Sequence, residues 1–269
     1  MPTGKSAVEG ANANGMTFAF YRSVMSRLED AGVPFLVGGA YALAFYSGIG
    51  RNTKDFDIFL RREDIKRALA ALESGDCRTE LTYPHWLGKA VCGDDFVDII
   101  FSSGNAVATV DDEWFEHAPV TEVLGRPVKL SPAEEMIWSK AFIMERERYD
   151  GADVMHLLLR RGTALDWPRL LRRFGPHWRI LLSHLITFGF VYPDDRSCIP
   201  GWVMEELLAR LQKELAEPPR EGRRVCNGPL LSRAQYLIDI EQWGYADARL
   251  GPKGCMSDDE VAHWTAAID

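Results

Sequence analysis

The sequence has no long apolar run, no paired cysteine motif and no excess of positive charge. The longest uncharged stretch, residues 34–50, is short and interrupted by glycines, so we expect no membrane span. The five cysteines include no Cys-x-x-Cys pair and are odd in number. We therefore expect neither a disulfide framework nor a zinc site, but reduced thiols in a cytoplasmic protein. A net charge of -8 argues against a protein that coats nucleic acid non-specifically.

The composition is that of a folded protein with room for one large or two modest domains. The chain has 269 residues, of which 46% are hydrophobic and 26% are charged. Residues 1–15 are rich in glycine, alanine and asparagine and contain no apolar segment of signal-peptide length, so we predict a flexible tail there. We place the first domain at residues 16–130 and a second at residues 131–269.

The two domains differ in their pattern of hydrophobic residues. The first alternates helical and strand patterns before a run of short strands, which predicts an α+β fold with a small mixed β-sheet covered by helices. The second begins at Ser131-Pro-Ala-Glu134, a capping box with proline at the first helical position. Its pattern is helical, with breaks at glycine and proline, so we predict a C-terminal helical domain.

Three carboxylates lie on the apolar strands of the first domain. Asp55 and Asp57 are two residues apart, so their side chains leave the same face of a strand whose other face is apolar. Asp98 repeats the pattern in Phe96-Val-Asp98-Ile-Ile. Unpaired charges on such strands are costly to desolvate, and a divalent cation would resolve that cost. Oxygen ligands on rigid strands suit Mg²⁺.

A glycine pair, Gly38-Gly39, precedes the first of these strands and leads into a predicted helix. Together with Arg51-x-Thr53-x-Asp55-x-Asp57 and the later Asp98, it resembles the nucleotidyltransferase superfamily with the polymerase β-like palm. The resemblance covers roughly residues 17–160. It is strongest to the bacterial minimal nucleotidyltransferases, which include abortive-infection toxin-like proteins and aminoglycoside-modifying enzymes.

The resemblance implies transfer of a nucleoside monophosphate from an NTP such as ATP to an acceptor hydroxyl, with release of pyrophosphate. Asp55, Asp57 and Asp98 would be the catalytic residues and would bind Mg²⁺ or Mn²⁺ in a two-metal arrangement. Asp98 would also orient and deprotonate the acceptor hydroxyl. The remaining residues implied to bind the nucleotide are Gly38, Gly39, Arg51, Thr53 and Lys140.

One position departs from the superfamily pattern, and one segment extends it. The superfamily turn is most often Gly-Ser, and this chain has Gly39 where the serine would be, so that backbone N–H groups alone would contact the phosphate there. In the toxin-like branch a helix carrying Glu and Lys precedes a segment with Arg and Asp. The residues of this chain that match are Glu134, Lys140, Arg148, Asp150 and Asp153.

Structural alternatives remain for the second domain. Lys140 could be a surface lysine that extends its stem along an apolar surface, and Asp150 and Asp153 could pair with Arg146 or Arg148. Residues 160–179 contain six arginines and one acid, with two tryptophans and a phenylalanine between them. We interpret this segment as a solvated helix face with core tryptophans, and the alternative is a surface that binds RNA.

Three functions stay open at the level of the sequence. The first is nucleotidyl transfer to RNA, such as a tRNA end, and the toxin-like branch adds an antitoxin-like partner as a candidate. The second is the same chemistry on a small hydroxylated molecule of the aminoglycoside type, which an acidic protein would attract. The third is a non-catalytic nucleotide-binding module.

Overall fold

The computed structural model describes residues 15–51, 53, 55–74, 77–218, 222 and 224–268. It divides into two compact units, the first formed by Met1–Pro132 with Met256–Ala267 and the second by Ala133–Cys255. The predicted tail at 1–15 lies outside the described residues except for Gly15, which begins the first helix.

The first unit is built from short helices and strands that alternate along the chain. Helices and strands alternate at first and are followed by a run of short strands, as the hydrophobic pattern predicts. In chain order they are α1 (Gly15–Asp30), β1 (Leu36–Val37), α2 (Gly39–Ser47), β2 (Asp57–Phe59), α3 (Ile65–Glu73), β3 (Arg78–Tyr83), β4 (Leu87–Cys92), β5 (Asp95–Ile100), α4 (Asp112–Glu116), β6 (Val120–Val123) and β7 (Arg126–Lys129).

A mixed five-stranded sheet lies at the centre of this unit. Its strand order is β1-β2-β5-β4-β3, and β6 and β7 form a separate hairpin. β2 and β5 run parallel, whereas the other neighbouring strands run antiparallel. The parallel pair requires the crossover through α3, β3 and β4. The α+β fold predicted from the sequence is therefore confirmed.

The second unit is mainly helical. Its helices begin or end at the predicted breaks, as α6 begins at Gly151 and α9 at Gly201. Within residues 231–245 the structure has one short helix, α10, and a two-stranded ladder also belongs to this unit. In chain order the elements are α5 (Ala133–Lys140), α6 (Gly151–Arg161), α7 (Trp167–Phe174), α8 (Trp178–Val191), α9 (Gly201–Ala216), β8 (Val225–Cys226), α10 (Leu237–Glu241) and β9 (Ala246–Asp247).

The last helix, α11 (Asp258–Thr265), belongs to the first unit. Trp264 packs edge-on against Tyr83 at 4.9 Å between ring centroids and against Trp86 at 5.3 Å. A side chain at Gly104 would meet the Trp264 ring. The pattern of the sequence predicts one domain over residues 131–269, but α11 belongs to the first unit because its tryptophan packs against aromatic side chains there.

The cysteines depart from the prediction of reduced thiols. Cys77 and Cys92 form a disulfide with a Cα–Cα distance of 4.5 Å. The register of β3 and β4, in which Arg78 faces Val91, brings these two cysteines opposite each other. Motif spacing could not reveal this pair because its proximity is created by strand pairing. Cys198, Cys226 and Cys255 are free thiols.

The helices of the described residues are all too short or too polar to cross a membrane.

Candidate active site

Two of the three predicted carboxylates face each other across the central parallel pair of strands. Asp57 of β2 and Asp98 of β5 are register partners. On the side of Asp57 away from Asp98, the N–H of Gly38 donates to the carbonyl of Asp57 at 2.9 Å, so that Gly38, Asp57 and Asp98 form a row across the sheet. Partners in register project from the same face of a sheet, so the strand pairing brings together residues far apart in the sequence.

A rigid apolar layer supports the strand that carries Asp57. Phe56, Ile58 and Leu60 are fully buried on one face, and Asp57 lies on the opposite, partly exposed face. The ring of Tyr21 stacks on Phe56 at 4.5 Å between centroids. This burial confirms the alternation of apolar and acidic residues predicted from the sequence. The packed apolar side chains hold β2, and with it Asp57, in place.

Burial and nearby acids act together on a phenol beside these strands. Burial, the neighbouring Tyr41 and the carboxylates of Asp95, Asp55 and Asp57 raise the pKa of Tyr21. Each of these carboxylates disfavours a second negative charge, and burial acts in the same direction.

The glycine turn fits closely against Asp57. Gly39 has a φ of +53°, a left-handed conformation that side chains rarely adopt. A Cβ added at Gly39 would collide with the carboxylate of Asp57, and one added at Gly38 would collide with the ring of Phe59. This contact gives a steric reason for the departure from Gly-Ser, because a serine at position 39 would compete with Asp57 for the same space.

The loop before β2 carries the other residues of the motif. The hydroxyl of Thr53 accepts from the N–H of Asp55 at 3.0 Å and donates to its carbonyl at 3.3 Å. Thr53 therefore shapes the turn that leads to the carboxylates. Asp55 and Arg51 are exposed. The nucleotide-binding roles of Arg51 and Thr53 stay predictions.

A lysine that sequence reasoning did not select lies next to Asp98. Lys89 of β4 is the register partner of Asp98 on the side away from Asp57, and its Nζ lies 3.3 Å from Oδ1 of Asp98. Their side chains are 30% and 20% exposed. The only indication in the sequence is a lysine inside an otherwise apolar strand, and its neighbour becomes known only from the strand register.

The three carboxylates do not form a ready-made metal cluster. Among the described residues, no group of three or more His, Cys, Asp or Glu side chains is close enough to hold a metal ion. The paired Asp57 and Asp98 still fit Mg²⁺, which typically takes one or two carboxylates and completes its coordination with water and phosphate oxygens. The metal and catalytic roles of Asp55, Asp57 and Asp98 stay predictions.

Lys140 lies in the second unit and is held by two acids. Its Nζ is 2.7 Å from Oδ2 of Asp150 and 2.9 Å from Oδ2 of Asp153. Arg148 contacts Asp150 at 3.1 Å, as one of the structural alternatives proposed, whereas Arg146 lies beside Glu147. Burial acts to raise the pKa of Asp150, but Arg148 and Lys140 outweigh it and lower that pKa. The nucleotide-binding role of Lys140 stays a prediction.

The interpretation of residues 160–179 as a solvated helix face is wrong for two arginines. Arg169 is 3% exposed and contacts Glu135 at 2.6 Å and Glu134 at 2.7 Å. Arg173 adds a contact to Glu135 at 3.1 Å. The carboxylate of Glu134 also accepts from the N–H of Asp166. These contacts were not predictable from local periodicity, since the acids come from α5. The buried hydroxyl of Ser131 has no hydrogen-bond partner among the described residues, so the predicted capping box is wrong.

Two exposed arginines and one buried tryptophan of that segment agree with the interpretation, whereas Arg161 and Trp178 are half-buried. Arg160 and Arg172 are exposed, and Trp167 is buried with its indole N–H donating to the carbonyl of Gly162 at 2.8 Å. Only part of the predicted basic surface is therefore available to a ligand.

No family model matches this chain, and no curated protein matches it. Solved structures with a similar fold include the antibiotic-resistance factor ANT(2'')-Ia in solution, with 19% identity over 76% of this chain and 95% of that chain and a TM-score of 0.38. The lincosamide antibiotic adenylyltransferase LnuA, bound to lincomycin, has 15% identity over 52% of this chain and 94% of that chain and a TM-score of 0.38. An antigenic nucleotidyltransferase-like protein from Paracoccidioides brasiliensis has 14% identity over 64% of this chain and 93% of that chain and a TM-score of 0.37. At these values the similarities do not decide the activity, which has to be argued from the residues of the site.

Proposed function

We propose that the protein transfers a nucleoside monophosphate from an NTP to an acceptor hydroxyl and releases pyrophosphate. The observation that carries the proposal is a row of three residues. Gly38 immediately precedes α2, and it lies beside Asp57 of β2, which in turn faces Asp98 of β5. The row combines a glycine turn, a helix N-terminus and two carboxylates on one face of a rigid sheet.

The turn and α2 would bind the phosphates of the NTP. The first N–H groups of a helix have no partner within the helix, and the partial positive charge there favours an anion. The absence of side chains at Gly38 and Gly39 leaves the backbone open to close approach. Arg51, in the following loop, would add a cationic contact to the triphosphate.

The carboxylates would organise the reacting groups. Asp57 and Asp98, with Asp55 as the third predicted ligand, would hold Mg²⁺ or Mn²⁺, which would neutralise charge on the transferred phosphoryl group and the pyrophosphate. The acceptor oxygen forms a bond to the α-phosphorus as the bond to the pyrophosphate oxygen breaks. Asp98 would orient the acceptor hydroxyl and take its proton.

Two classes of acceptor are proposed. RNA is supported by the exposed Arg160 and Arg172. A cationic small molecule is supported by the net charge of -8 and by the burial of Arg169 and Arg173 in ion pairs, which removes two cations from the predicted RNA surface. The antitoxin-like partner has no support among these contacts and stays a prediction.

A label-transfer experiment tests the proposal. The full chain is incubated with each α-labelled NTP, in Mg²⁺ or Mn²⁺, together with bacterial RNA or with a panel of aminoglycosides. We expect label on one acceptor class, and Asp57→Asn should reduce the transfer about a hundredfold to a thousandfold, as the loss of a central electrostatic group does.

Asp94→Asn is the matched control, because Asp94 is an exposed acid in the turn before β5. It should transfer label at the wild-type rate. Transfer that is unchanged in Asp57→Asn would contradict the proposal. NTP-dependent thermal stabilisation without transfer to either class would favour the non-catalytic module instead.

A further inference from the structure

Lys89 extends the row of charged residues across the sheet beyond the predicted site. From β2 to β5 to β4, the register places Asp57, Asp98 and Lys89 side by side. The ammonium of Lys89 lies 3.3 Å from Asp98, and the lysine also lies over the ring of Phe96 at 5.0 Å from its centroid. A cation is therefore already placed against one of the two carboxylates proposed to bind the metal.

We propose that Lys89 is the counter-charge of Asp98 in the ligand-free protein and that it competes with the divalent cation for this carboxylate. The proposal rests on the proposed function, because it requires that Asp57 and Asp98 bind a divalent cation. The role of Lys89 in this proposal is to set the affinity for the metal.

The chemistry of Lys89 and Asp98 suits a contact that a divalent cation can displace. Two carboxylates on adjacent strands repel each other, and a nearby ammonium reduces that repulsion. Lysine is a point charge on a flexible stem, with no fixed fork that would bind a carboxylate in two places. At 3.3 Å and 30% exposure of the lysine, the contact is longer and more exposed than the ion pair between Arg169 and Glu135.

The next strand offers the displaced ammonium another acid. Glu80 of β3 is the register partner of Lys89 on the side away from Asp98, and it is exposed. Glu80 also accepts from the hydroxyl of Thr82 at 3.0 Å, and as an exposed register partner it is the acid that a displaced Lys89 would meet next. The loss of its contact with Asp98 on metal binding is accordingly a small and reversible change.

Two effects of opposite sign are expected from Lys89→Met, which keeps the length of the side chain and removes its charge. Without metal, the variant should be less stable than wild type because the carboxylates lose a counter-charge. With metal, it should bind Mn²⁺ about threefold to fivefold tighter, the range that corresponds to the loss of a partly exposed ion pair.

The test uses the full chain and Mn²⁺ as the probe. Free Mn²⁺ is followed by electron paramagnetic resonance during titration, and thermal denaturation is recorded in EDTA and in Mn²⁺. Lys66→Met is the matched control, because Lys66 is exposed on α3 and its loss changes the net charge equally. Lys89→Arg keeps the positive charge and should bind Mn²⁺ no tighter than wild type.

The outcomes separate the two proposals. Tighter Mn²⁺ binding in Lys89→Met, but not in Lys66→Met or Lys89→Arg, supports the competition. Equal or weaker binding in Lys89→Met overturns it, while the proposed function stands if Asp57→Asn abolishes Mn²⁺ binding. If wild type shows no binding that depends on Asp57, both proposals are overturned. If Lys89→Met does not fold, Lys89→Gln replaces it with the same expectation.

Discussion

The two units hold their acidic side chains in different ways. In the helical unit, Arg169 is 3% exposed and reaches the fully buried Glu135 through two short hydrogen bonds of 2.6 and 2.7 Å. In the sheet unit, Asp98 is 20% exposed and meets Lys89 through one contact of 3.3 Å. The first is a fixed, water-excluded ion pair, and the second is open to exchange.

The difference indicates which charges serve the fold and which serve a ligand. A planar guanidinium bound to a buried carboxylate cannot be displaced without leaving an uncompensated charge in the interior. A partly exposed lysine can leave its partner at little cost, since water and other acids can replace it. The arginines of the helical unit that contact Glu135 therefore stabilise the fold, whereas Asp57 and Asp98 of the sheet unit are the acids that we propose to bind a ligand.

The largest effect should come from breaking the fixed pair. Arg169→Met leaves the carboxylates of Glu134 and Glu135 buried with part of their charge compensation lost, and we expect a loss of about 3–5 kcal/mol in the free energy of unfolding. Urea denaturation followed by tryptophan fluorescence measures it. Arg172→Met, at an exposed neighbouring arginine, should change little. If Asp98→Asn destabilises the protein as much as Arg169→Met does, the contrast between the units is wrong.

A smaller effect is expected at the glycine turn. Gly39→Ser restores the residue most often found in the superfamily, yet it should cost about 1–3 kcal/mol, from the strained φ and from the collision with Asp57. It should also weaken Mn²⁺ binding, because Asp57 must move. Thermal denaturation and Mn²⁺ titration measure both effects.

Gly93→Ser is the matched control for that substitution. Gly93 has a φ of +63°, close to the φ of Gly39, but a Cβ there meets nothing within 4 Å. The control therefore carries the backbone strain without the collision, and its Mn²⁺ binding should equal that of wild type. Equal losses of stability in the two variants, with unchanged Mn²⁺ binding in both, would show that Asp57 does not restrict position 39.

Local patterns predicted much of the first unit. The alternation of Phe56, Ile58 and Leu60 with Asp57 gave the buried and exposed faces of β2 correctly, because a strand has a fixed period. Gly32 lies just after α1 and has a φ of +63°, the left-handed conformation in which a glycine commonly ends a helix. Such features depend only on residues that are close together in the sequence, so one sequence is enough to predict them.

Features that depend on distant partners were missed or wrongly interpreted. Lys89 becomes part of the candidate site only through the register of β4 and β5, and Cys77 meets Cys92 only through that of β3 and β4. Arg169 looked like a surface residue because its acidic partners lie on α5. The sequence gives no local indication of any of these contacts, since each is created by pairing or packing over long separations.

The smallest effect concerns a buried histidine of the helical unit. His184 is 2% exposed, its Nε2 lies 2.9 Å from the carbonyl of Ala141, and burial lowers its pKa. Between the ordinary histidine pKa of about 6.5 and the lowered value, the unfolded state binds more protons than the folded state. The stability that His184 contributes is therefore complete above about pH 6.5 and is lost as the pH falls below it, by about 1.4 kcal/mol for each unit by which the pKa is lowered.

Urea denaturation at pH 7 and at pH 5.5 measures this loss, and His184→Gln should reduce it because glutamine does not titrate. His85 of the sheet unit is the matched site, since it is also 2% exposed, contacts the carbonyl of Gly104 at 2.9 Å and has a pKa lowered by burial. If His184→Gln leaves the pH dependence unchanged while His85→Gln removes it, the acid sensitivity belongs to the sheet unit. His184, which lies in the same unit as the ion pair of Arg169 and Glu135, would then have no effect on stability between pH 7 and pH 5.5.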